Sequence, residues 1–562
     1  MRLHWSVQEN VPVVSRRCAE REIRIVPTSK TSDPRPATSA DLELLKRVVD
    51  EQLGSGTYNE LIRSEVVLFG RAPYLDTAYE VISDGGVLGH LFFDLYEMRW
   101  YFKPLEQSID RIGHRMETLS LGGKRGEIVG RADGGPKFKL LENGLAERVG
   151  DRYVVARVFK PRDTLLEEKS SWNRVLKVNE PCLLSDESKA IRFVWRASKR
   201  AGKTIVSFSG GKDSSALLEV VRRSGVDHLV YFNDTGLELP ETLRFVEDVG
   251  YDVVGDAGNA FWENVGKFGP PARDYRWCCK VIKLLPTYRA LRDLAPGLTL
   301  VGQRKFESLA RMRSPPIWRN RWLPGFLTGA PINEWSALQT WLYLRLRSVK
   351  INPLYQRGFE RLGCYLCSAS RLSEFEKLEE QYPSLWERWH SFLLEYASKE
   401  GLGECWIKYG VWRWIHPPRR MEQLCPERRR ALVTMTPDSH GKLLVIDPFD
   451  VETFLSLAHS LGVVMNGKIS GRDFTVEVVS KEKGLIAYKG ELEGVRGLIA
   501  RSACTGCGVC REYCEFGAIE IQGKARILPD RCTRCGVCND VCPLSFYRDR
   551  VVEVRSTGWK AN

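Results

Sequence analysis

The sequence predicts an α/β protein built on a doubly wound parallel sheet, with a β-rich region before it and a small cysteine-rich module after it. From residue 204, strand-like and helix-like stretches alternate and polar residues gather where strands end. Between 73 and 150, short strand-like runs are split by Gly-Gly pairs, and beyond 500 eight cysteines recur in two evenly spaced runs. Alternating strands and helices build a parallel sheet covered on both faces, and such sheets bind ligands at the carboxyl ends of their strands.

At 562 residues the chain exceeds one ordinary core and predicts three or four domains. Hydrophobic residues make up 43% and charged residues 28%, with no apolar run of 18 residues, so no membrane partner is expected. The opening MRLHWSVQEN has no basic stretch followed by an apolar one, and a cytoplasmic location is the expectation. Lysine plus arginine exceed aspartate plus glutamate by 84 to 71, a formal charge of +13 that suits anionic ligands such as nucleotides and permits RNA without specifying either. Sixteen cysteines would suggest disulfides in a small secreted protein; in a large unexported chain their clustering matters more than their number.

Residues 1–38 resemble a degenerate zinc-ribbon start, but a ribbon needs four soft ligands and only Cys18 and His4 are present, so no zinc is expected. Residues 39–195 predict a β-rich domain opened by a helix after Ser39, with Leu42, Leu45, Val48 and Val49 on one side. Gly-Gly turns at 85–86, 122–123 and 134–135 separate runs such as GGVLGHLFFDLYEMRWYF, a pattern that resembles a PUA-like barrel, a class met in RNA-modifying enzymes. Arg99, Arg111, Lys124, Arg125, Arg131 and Lys137 would track phosphates if they shared a face, and would otherwise be a solvated surface.

Residues 196–425 are organised by TIVSFSGGKDSSALLEVVRRSG, 204–225. A β-branched and aromatic strand is followed at once by Ser209, Gly210, Gly211, Lys212, Asp213 and Ser214, then by Leu217, Leu218 and Val221 at helical spacing up to Gly225. Two glycines let a ligand approach the backbone, the amides of the helix start face an anion, and Lys212 adds a charge. A phosphate or pyrophosphate is the expected guest, although the run is not a Walker A sequence. It resembles the pyrophosphate loop of the adenine-nucleotide α-hydrolase superfamily. A second strand ends in Asp234, Thr235 and Gly236, and the helix after it opens at Pro240. The segment DTGLELPET resembles the one that closes over the nucleotide in adenylyl-sulfate (APS) and phosphoadenylyl-sulfate (PAPS) reductases.

Cys278 and Cys279, with Cys364 and Cys367, form two tight pairs able to complete the thiolate shell of a [4Fe-4S] cluster; spacing alone leaves a dithiol or zinc site open. A Cys-Cys pair followed by a basic residue and proline, then a distant Cys-x-x-Cys, resembles the cluster pattern of bacterial APS reductases. That resemblance implies a cluster near the substrate, with Lys283 between cluster and sulfate. Arg304 and Arg311 are seven apart, so on a helix they would share a face and grip an anion in fork geometry. Residues 302–311 resemble the family's phosphosulfate-contacting stretch, and the resemblance extends over 200–370. Two departures stand out. The loop at 211–214 is intact, as in members that split ATP, and the Glu-Cys-Gly-Leu-His-like segment that carries the reductases' catalytic cysteine is missing. Cys405, in Glu404-Cys405-Trp406, is the candidate nucleophile and Cys425 a looser one; either reads equally as an inert buried cysteine.

After a small α/β linker at 426–495, Cys504, Cys507, Cys510 and Cys514 are spaced C-x₂-C-x₂-C-x₃-C, and Cys532, Cys535, Cys538 and Cys542 repeat the spacing with Pro543 directly after. Two such runs are the signature of a two-cluster bacterial ferredoxin, here 496–550 with a tail at 551–562. In that arrangement Cys504, Cys507, Cys510 and Cys542 hold one cluster, and Cys532, Cys535, Cys538 and Cys514 the other. The expected cofactors are therefore three [4Fe-4S] clusters. Making sulfite from an adenylyl sulfate takes two electrons, whereas adenylation and hydrolysis take none. The expected function is an iron-sulfur reductase acting on APS or PAPS to give sulfite and AMP or PAP, supplied by an electron donor. ATP-dependent sulfur transfer to tRNA, and a non-catalytic nucleotide-sensing or electron-carrying module, are the alternatives that spacing leaves open.

Overall fold

The structure, a computed structural model, describes residues 2–18, 22–115, 165–438 and 443–555, together with the backbone of five short strands between 117 and 157. Strand Lys203–Phe208 lies inside a six-stranded sheet, with Ile205, Val206 and Phe208 buried, as a strand covered on both faces requires. The order is Val253–Asp256, Leu229–Asp234, Lys203–Phe208, Gly297–Leu300, Phe326–Gly329 and Ile317–Arg319. The first five run parallel and the last is an antiparallel edge. Helix Lys212–Ser224 starts directly from the glycine turn and is closed by Gly225 in the left-handed conformation; Pro240 opens helix Pro240–Val249.

Helix Trp172–Ser198 belongs with this sheet rather than with the region before it. Its Val175, Leu183, Ala190 and Val194 share a core with Leu217 and Val221 of the loop helix and Leu342 of helix Ala337–Leu346. The expected boundary at 195 therefore falls inside a helix, because its apolar stripe is covered by the helices of the six-stranded sheet. The helix also anchors the start of the chain: a three-stranded sheet, Val11–Val13, Leu3–Ser6 and Ile23–Val26, is tied to it by a Cys18–Cys182 disulfide. Cys18, the cysteine weighed as a ribbon ligand, is used there.

Helix Ser39–Leu53 begins as expected, with a Thr38–Asp41 capping box, and buries Leu45, Val48 and Val49. It packs on a five-stranded antiparallel sheet, Arg35–Pro36, Leu68–Arg71, Ala78–Ser83, Gly86–Asp94 and Arg99–Pro104, in chain order. Among the described residues this is an open meander, not a barrel. Arg111 is buried, donating to the Leu61 carbonyl and pairing with Asp84 at 3.0 Å, so it shares no solvent face with Arg99, which pairs with Glu97. Lys124, Arg125, Arg131 and Lys137, with the turns at 122–123 and 134–135, lie outside the described residues.

The C-terminal sheet has seven strands in the order Gly462–Met465, Lys468–Gly471, Phe474–Ser480, Leu485–Gly490, Leu444–Asp447, Val433–Pro437 and Val552–Val554. The last falls where a tail was expected and pairs parallel with Val433–Pro437. The cysteine-rich module is thus held at both ends, by helix Leu492–Ser502 leading in and by this strand leading out. Among the described residues no helix is long and apolar enough to cross a membrane.

Candidate functional site

The glycine turn sits at the carboxyl end of Lys203–Phe208. Gly210 has φ +70°, a region open to glycine, and Gly211 caps the helix. The turn is pinned from within: the Ser209 amide donates to Ser214 Oγ (3.2 Å), which donates to the Gly211 carbonyl (2.8 Å). The Lys212 amide donates to the Tyr355 hydroxyl at 2.9 Å. Behind it lies Gly302, where a Cβ would come within 2.7 Å of the Asp213 carbonyl. Gly302→Ala should push the loop outward and weaken AMP binding at least about tenfold, about 1.4 kcal/mol, with iron content unchanged; titration calorimetry on the two proteins reads this directly.

The charged groups of the loop are satisfied by one another. Lys212 Nζ lies 2.6 Å from Asp213, Asp213 receives Arg304 Nε at 2.6 Å, and Arg304 Nη1 pairs with Asp33 at 2.7 Å. Burial lowers the Lys212 pKa, with Asp213 opposing and Arg304 assisting. The anion fork expected of Arg304 is thus taken up by two carboxylates, and its side chain is only 3% exposed. Nor does it share a helix with Arg311. A 3₁₀ turn, Lys305–Glu307, and a separate helix, Leu309–Met312, meet at Ser308, whose extended backbone caps the second. Arg311 is half-exposed and pairs with Glu307. Arg361 and Arg276 bring further positive charge close to Arg311.

Strand Leu229–Asp234 carries the next group. Asp234 accepts from the Gly236 amide (2.8 Å), and Thr235 donates to Glu238 at 2.7 Å while its hydroxyl lies 3.3 Å from Cys364 Sγ. Strand Leu229–Asp234, paired with the strand that enters the glycine turn, therefore leads directly to the four-cysteine site. There Cys278 and Cys279 lie on a short helix, Trp277–Cys279, that runs on into a π turn, Lys280–Leu284. All four cysteines are free of disulfides. Lys283 is drawn toward the charged form by Cys364 first, against the cost of burial, and then by Cys279, Cys367 and Glu238. A hydrogen bond from the Cys278 thiol pulls the Cys279 pKa down, with Lys283, Arg276 and Lys280 assisting against burial. Burial pushes Cys364 up to about 11 despite Lys283. Three sulfurs acting on one lysine, with Cys278 beside them as the fourth, form a donor set suited to an anionic thiolate cluster.

The eight cysteines of the C-terminal runs are arranged in the same way for thiolate ligation. All eight are free, and backbone amides of Gly506, Ala525 and Ala518 donate to sulfurs of Cys504 and Cys514 at 3.3–3.5 Å. Arg501 is 1% exposed and donates to Cys538 Sγ (3.4 Å) and Ser460 (2.9 Å), with no carboxylate ion pair among the described residues. Its charge is answered instead by Cys538, Cys542 and Cys510. A buried cation with sulfurs and no carboxylate to answer its charge among the described residues fits thiolates that carry a cluster's negative charge.

Cys405 departs from the expectation. It is disulfide-bonded to Cys425, which is fully buried, with Glu427 alongside. A disulfide sulfur is not a thiolate, so neither cysteine is a nucleophile in this state. No hydrogen bond or ion pair among the described residues links Cys405 to the loop. Sequence reasoning also missed Asp33, Glu238, Arg276 and Arg361. Asp33 carries no local signal, whereas Arg276 and Arg361 stand two and three residues from Cys278 and Cys364.

Residues 203–370 match the phosphoadenosine phosphosulfate reductase domain, and residues 503–545 the 4Fe-4S dicluster domain. The chain belongs to the phosphoadenosine phosphosulfate reductase family, on an adenine-nucleotide α-hydrolase-like fold, with a two-cluster ferredoxin domain joined behind it. An uncharacterized protein of Methanocaldococcus jannaschii is 30% identical over 468 residues, 74% of this chain and 96% of its own length. The adenosine 5'-phosphosulfate reductase of Allochromatium vinosum is 27% identical over 214 residues, 34% of this chain and 79% of its own. The phosphoadenosine 5'-phosphosulfate reductase of Zymomonas mobilis is 27% identical over 189 residues, 32% and 76%.

Proposed function

We propose that the chain is an oxidoreductase that cleaves an adenylyl sulfate, APS or PAPS, to sulfite and AMP or PAP, with electrons arriving through the ferredoxin domain. The observation that carries this reading is that strand Leu229–Asp234 pairs with the strand entering the glycine turn and runs straight on to Thr235, whose hydroxyl lies 3.3 Å from Cys364 Sγ in the four-cysteine site with Lys283. The loop amides and Lys212 are suited to hold the nucleotide phosphate, and Ser209, Gly210, Gly211, Asp213 and Ser214 to shape that cradle. Lys283 is suited to face the sulfate, with Arg311, and Arg361 and Arg276 that act on it, as further cations. Arg304 then acts from behind, by holding Asp213 in place. A third [4Fe-4S] cluster is assigned to Cys278, Cys279, Cys364 and Cys367; when bound it supplies a one-electron carrier beside the nucleotide.

In this reading a thiolate attacks the sulfate sulfur in line, the S–O bond to phosphate breaks, and AMP leaves with the bonding pair. The enzyme thiosulfonate then takes two electrons to release sulfite and restore the thiolate. Cys405 is the thiol the sequence offers, and its use requires two electrons first to open the bond to Cys425. Sulfur transfer to tRNA gains no support from the Allochromatium vinosum and Zymomonas mobilis relatives, which are named as sulfonucleotide reductases.

The test is anaerobic, iron-loaded, reduced protein incubated in parallel with APS, PAPS and ATP while AMP, PAP, sulfite and pyrophosphate are quantified. Sulfite stoichiometric with AMP or PAP is expected from one of the sulfate donors; pyrophosphate from ATP without sulfite from either would overturn the reading. Lys283→Met should lower kcat/KM about 100-fold or more with iron retained, the scale of losing one preorganised charge at a reacting centre.

A further inference from the structure

Helix Val509–Glu512 and the residues following Cys542 bring the ferredoxin module against the four-cysteine site through a continuous seam. Tyr288 stacks on Tyr513 at 4.1 Å, the Tyr513 hydroxyl donates to the Trp322 carbonyl (2.8 Å), and Trp322 meets Phe546 edge-on at 5.8 Å. Arg289 pairs with Glu512 at 3.0 Å. In the middle lies Lys280, 3% exposed, with Nζ 3.3 Å from the Trp322 ring centre and 3.7 Å from that of Phe546. Lys280 follows Cys279 directly, and Phe546 is four residues beyond Cys542. Lys280 Nζ therefore lies between the stretch that carries Cys279 and the one that carries Cys542, and beside it Tyr547 meets Tyr275 edge-on at 5.6 Å. A second buried cation, Arg501, spans the other junction in the same way, facing Cys538 of one ferredoxin set and Cys542 and Cys510 of the other. Cys535 alone among the twelve free cysteines is exposed.

We propose that the three cysteine sites form one ordered electron chain, in which electrons arrive at the Cys532–Cys535–Cys538–Cys514 set, pass to the Cys504–Cys507–Cys510–Cys542 set, and cross the Lys280–Trp322–Phe546 seam to the Cys278–Cys279–Cys364–Cys367 set. The inference rests on the assignment of a third cluster made above. Each transfer moves one electron, oxidising one carrier and reducing the next, and the source is a low-potential one-electron donor. The four-cysteine site is then a redox relay, not only an electrostatic neighbour of the nucleotide. The outermost set is the donor-facing one because it alone contains an exposed ligand. The two cations lie where negative charge accumulates as an electron passes.

The test uses the full-length, iron-loaded chain and no sulfonucleotide. Fully reduced protein should bind about twelve irons, and its ferredoxin electron paramagnetic resonance should be broadened by a neighbouring spin that vanishes in Cys364→Ser. In freeze-quench mixing with reduced methyl viologen, the nucleotide-domain signal should appear after the ferredoxin signals. Trp322→Ala with Phe546→Ala should slow it at least about tenfold while the ferredoxin signals keep their wild-type rate. Lys280→Met, which keeps the stem and removes the charge, gives the same readout should the aromatic pair prove necessary for folding. An iron content of about eight, absence of the broadening, a nucleotide-domain site that viologen does not reduce, or unchanged kinetics in a folded seam variant would overturn the proposal. Intact relay kinetics in a protein that makes no sulfite would instead sink the sulfonucleotide reading and leave the relay standing.

Discussion

Arg304→Ala is expected to destabilise the nucleotide domain by about 3–5 kcal/mol, the scale observed when one partner of a buried ion pair is removed. The guanidinium holds Asp213 and Asp33 at 2.6 and 2.7 Å and donates to the Trp335 carbonyl, and its side chain is 3% exposed. Removing it strands Asp33, itself buried and receiving the Ala337 amide, and leaves Asp213 with Lys212 alone. The same substitution at Arg311, 44% exposed and paired among the described residues with Glu307 alone, should cost about 0.5 kcal/mol or less. The pH dependence follows from Asp213. Burial would raise its pKa, but Lys212 and then Arg304 more than offset this and hold it below the ordinary carboxylate value. A depressed carboxylate contributes stability above its unfolded pKa of about 3.9, and that contribution is lost as pH falls through the folded value. With Arg304 gone the folded pKa moves up, so the variant should lose stability at higher pH than wild type. Urea unfolding followed from pH 7 downward measures both effects; equal midpoints for Arg304→Ala and Arg311→Ala would refute the buried triad.

Cys364→Ser should have the largest effect on cofactor content. Iron should fall from about twelve to about eight per chain, because the eight ferredoxin cysteines form no part of that site. Sulfonucleotide turnover should fall at least about 100-fold, since Lys283 would lose the thiolates that hold it and Thr235 its neighbour at 3.3 Å. Cys405→Ser with Cys425→Ser should leave the iron at about twelve, which separates the two kinds of cysteine pair by one elemental analysis.

Much of the nucleotide domain was legible in the sequence because its signals are local. Strand Lys203–Phe208, the turn at 209–214 and helix Lys212–Ser224 are contiguous, and β-branched residues, glycines and helical leucine spacing each report on the nearest few positions. The ferredoxin runs were legible for the same reason, since ligand spacing is a property of the chain. What sequence could not supply was pairing at a distance. Asp33 reaches Arg304 across 271 residues, Cys18 reaches Cys182 across 164, and Val552–Val554 returns to a sheet begun at Val433. Arg304 illustrates the difference: arginines seven apart look like an anion clamp until Ser308 breaks the helix and a remote carboxylate takes the guanidinium. Cys405 is the parallel case, a Glu-Cys pair whose partner lies 20 residues on.

The most direct measurement charges the intact protein with electrons anaerobically, removes the reductant, and adds APS or PAPS while the iron-sulfur absorbance and sulfite are followed together. An adenylyl-sulfate reductase fed by its own ferredoxin domain should be re-oxidised by one of the two donors, yielding one sulfite for every two electrons lost. Clusters that stay reduced while AMP or PAP is released, or that re-oxidise without sulfite, would contradict it.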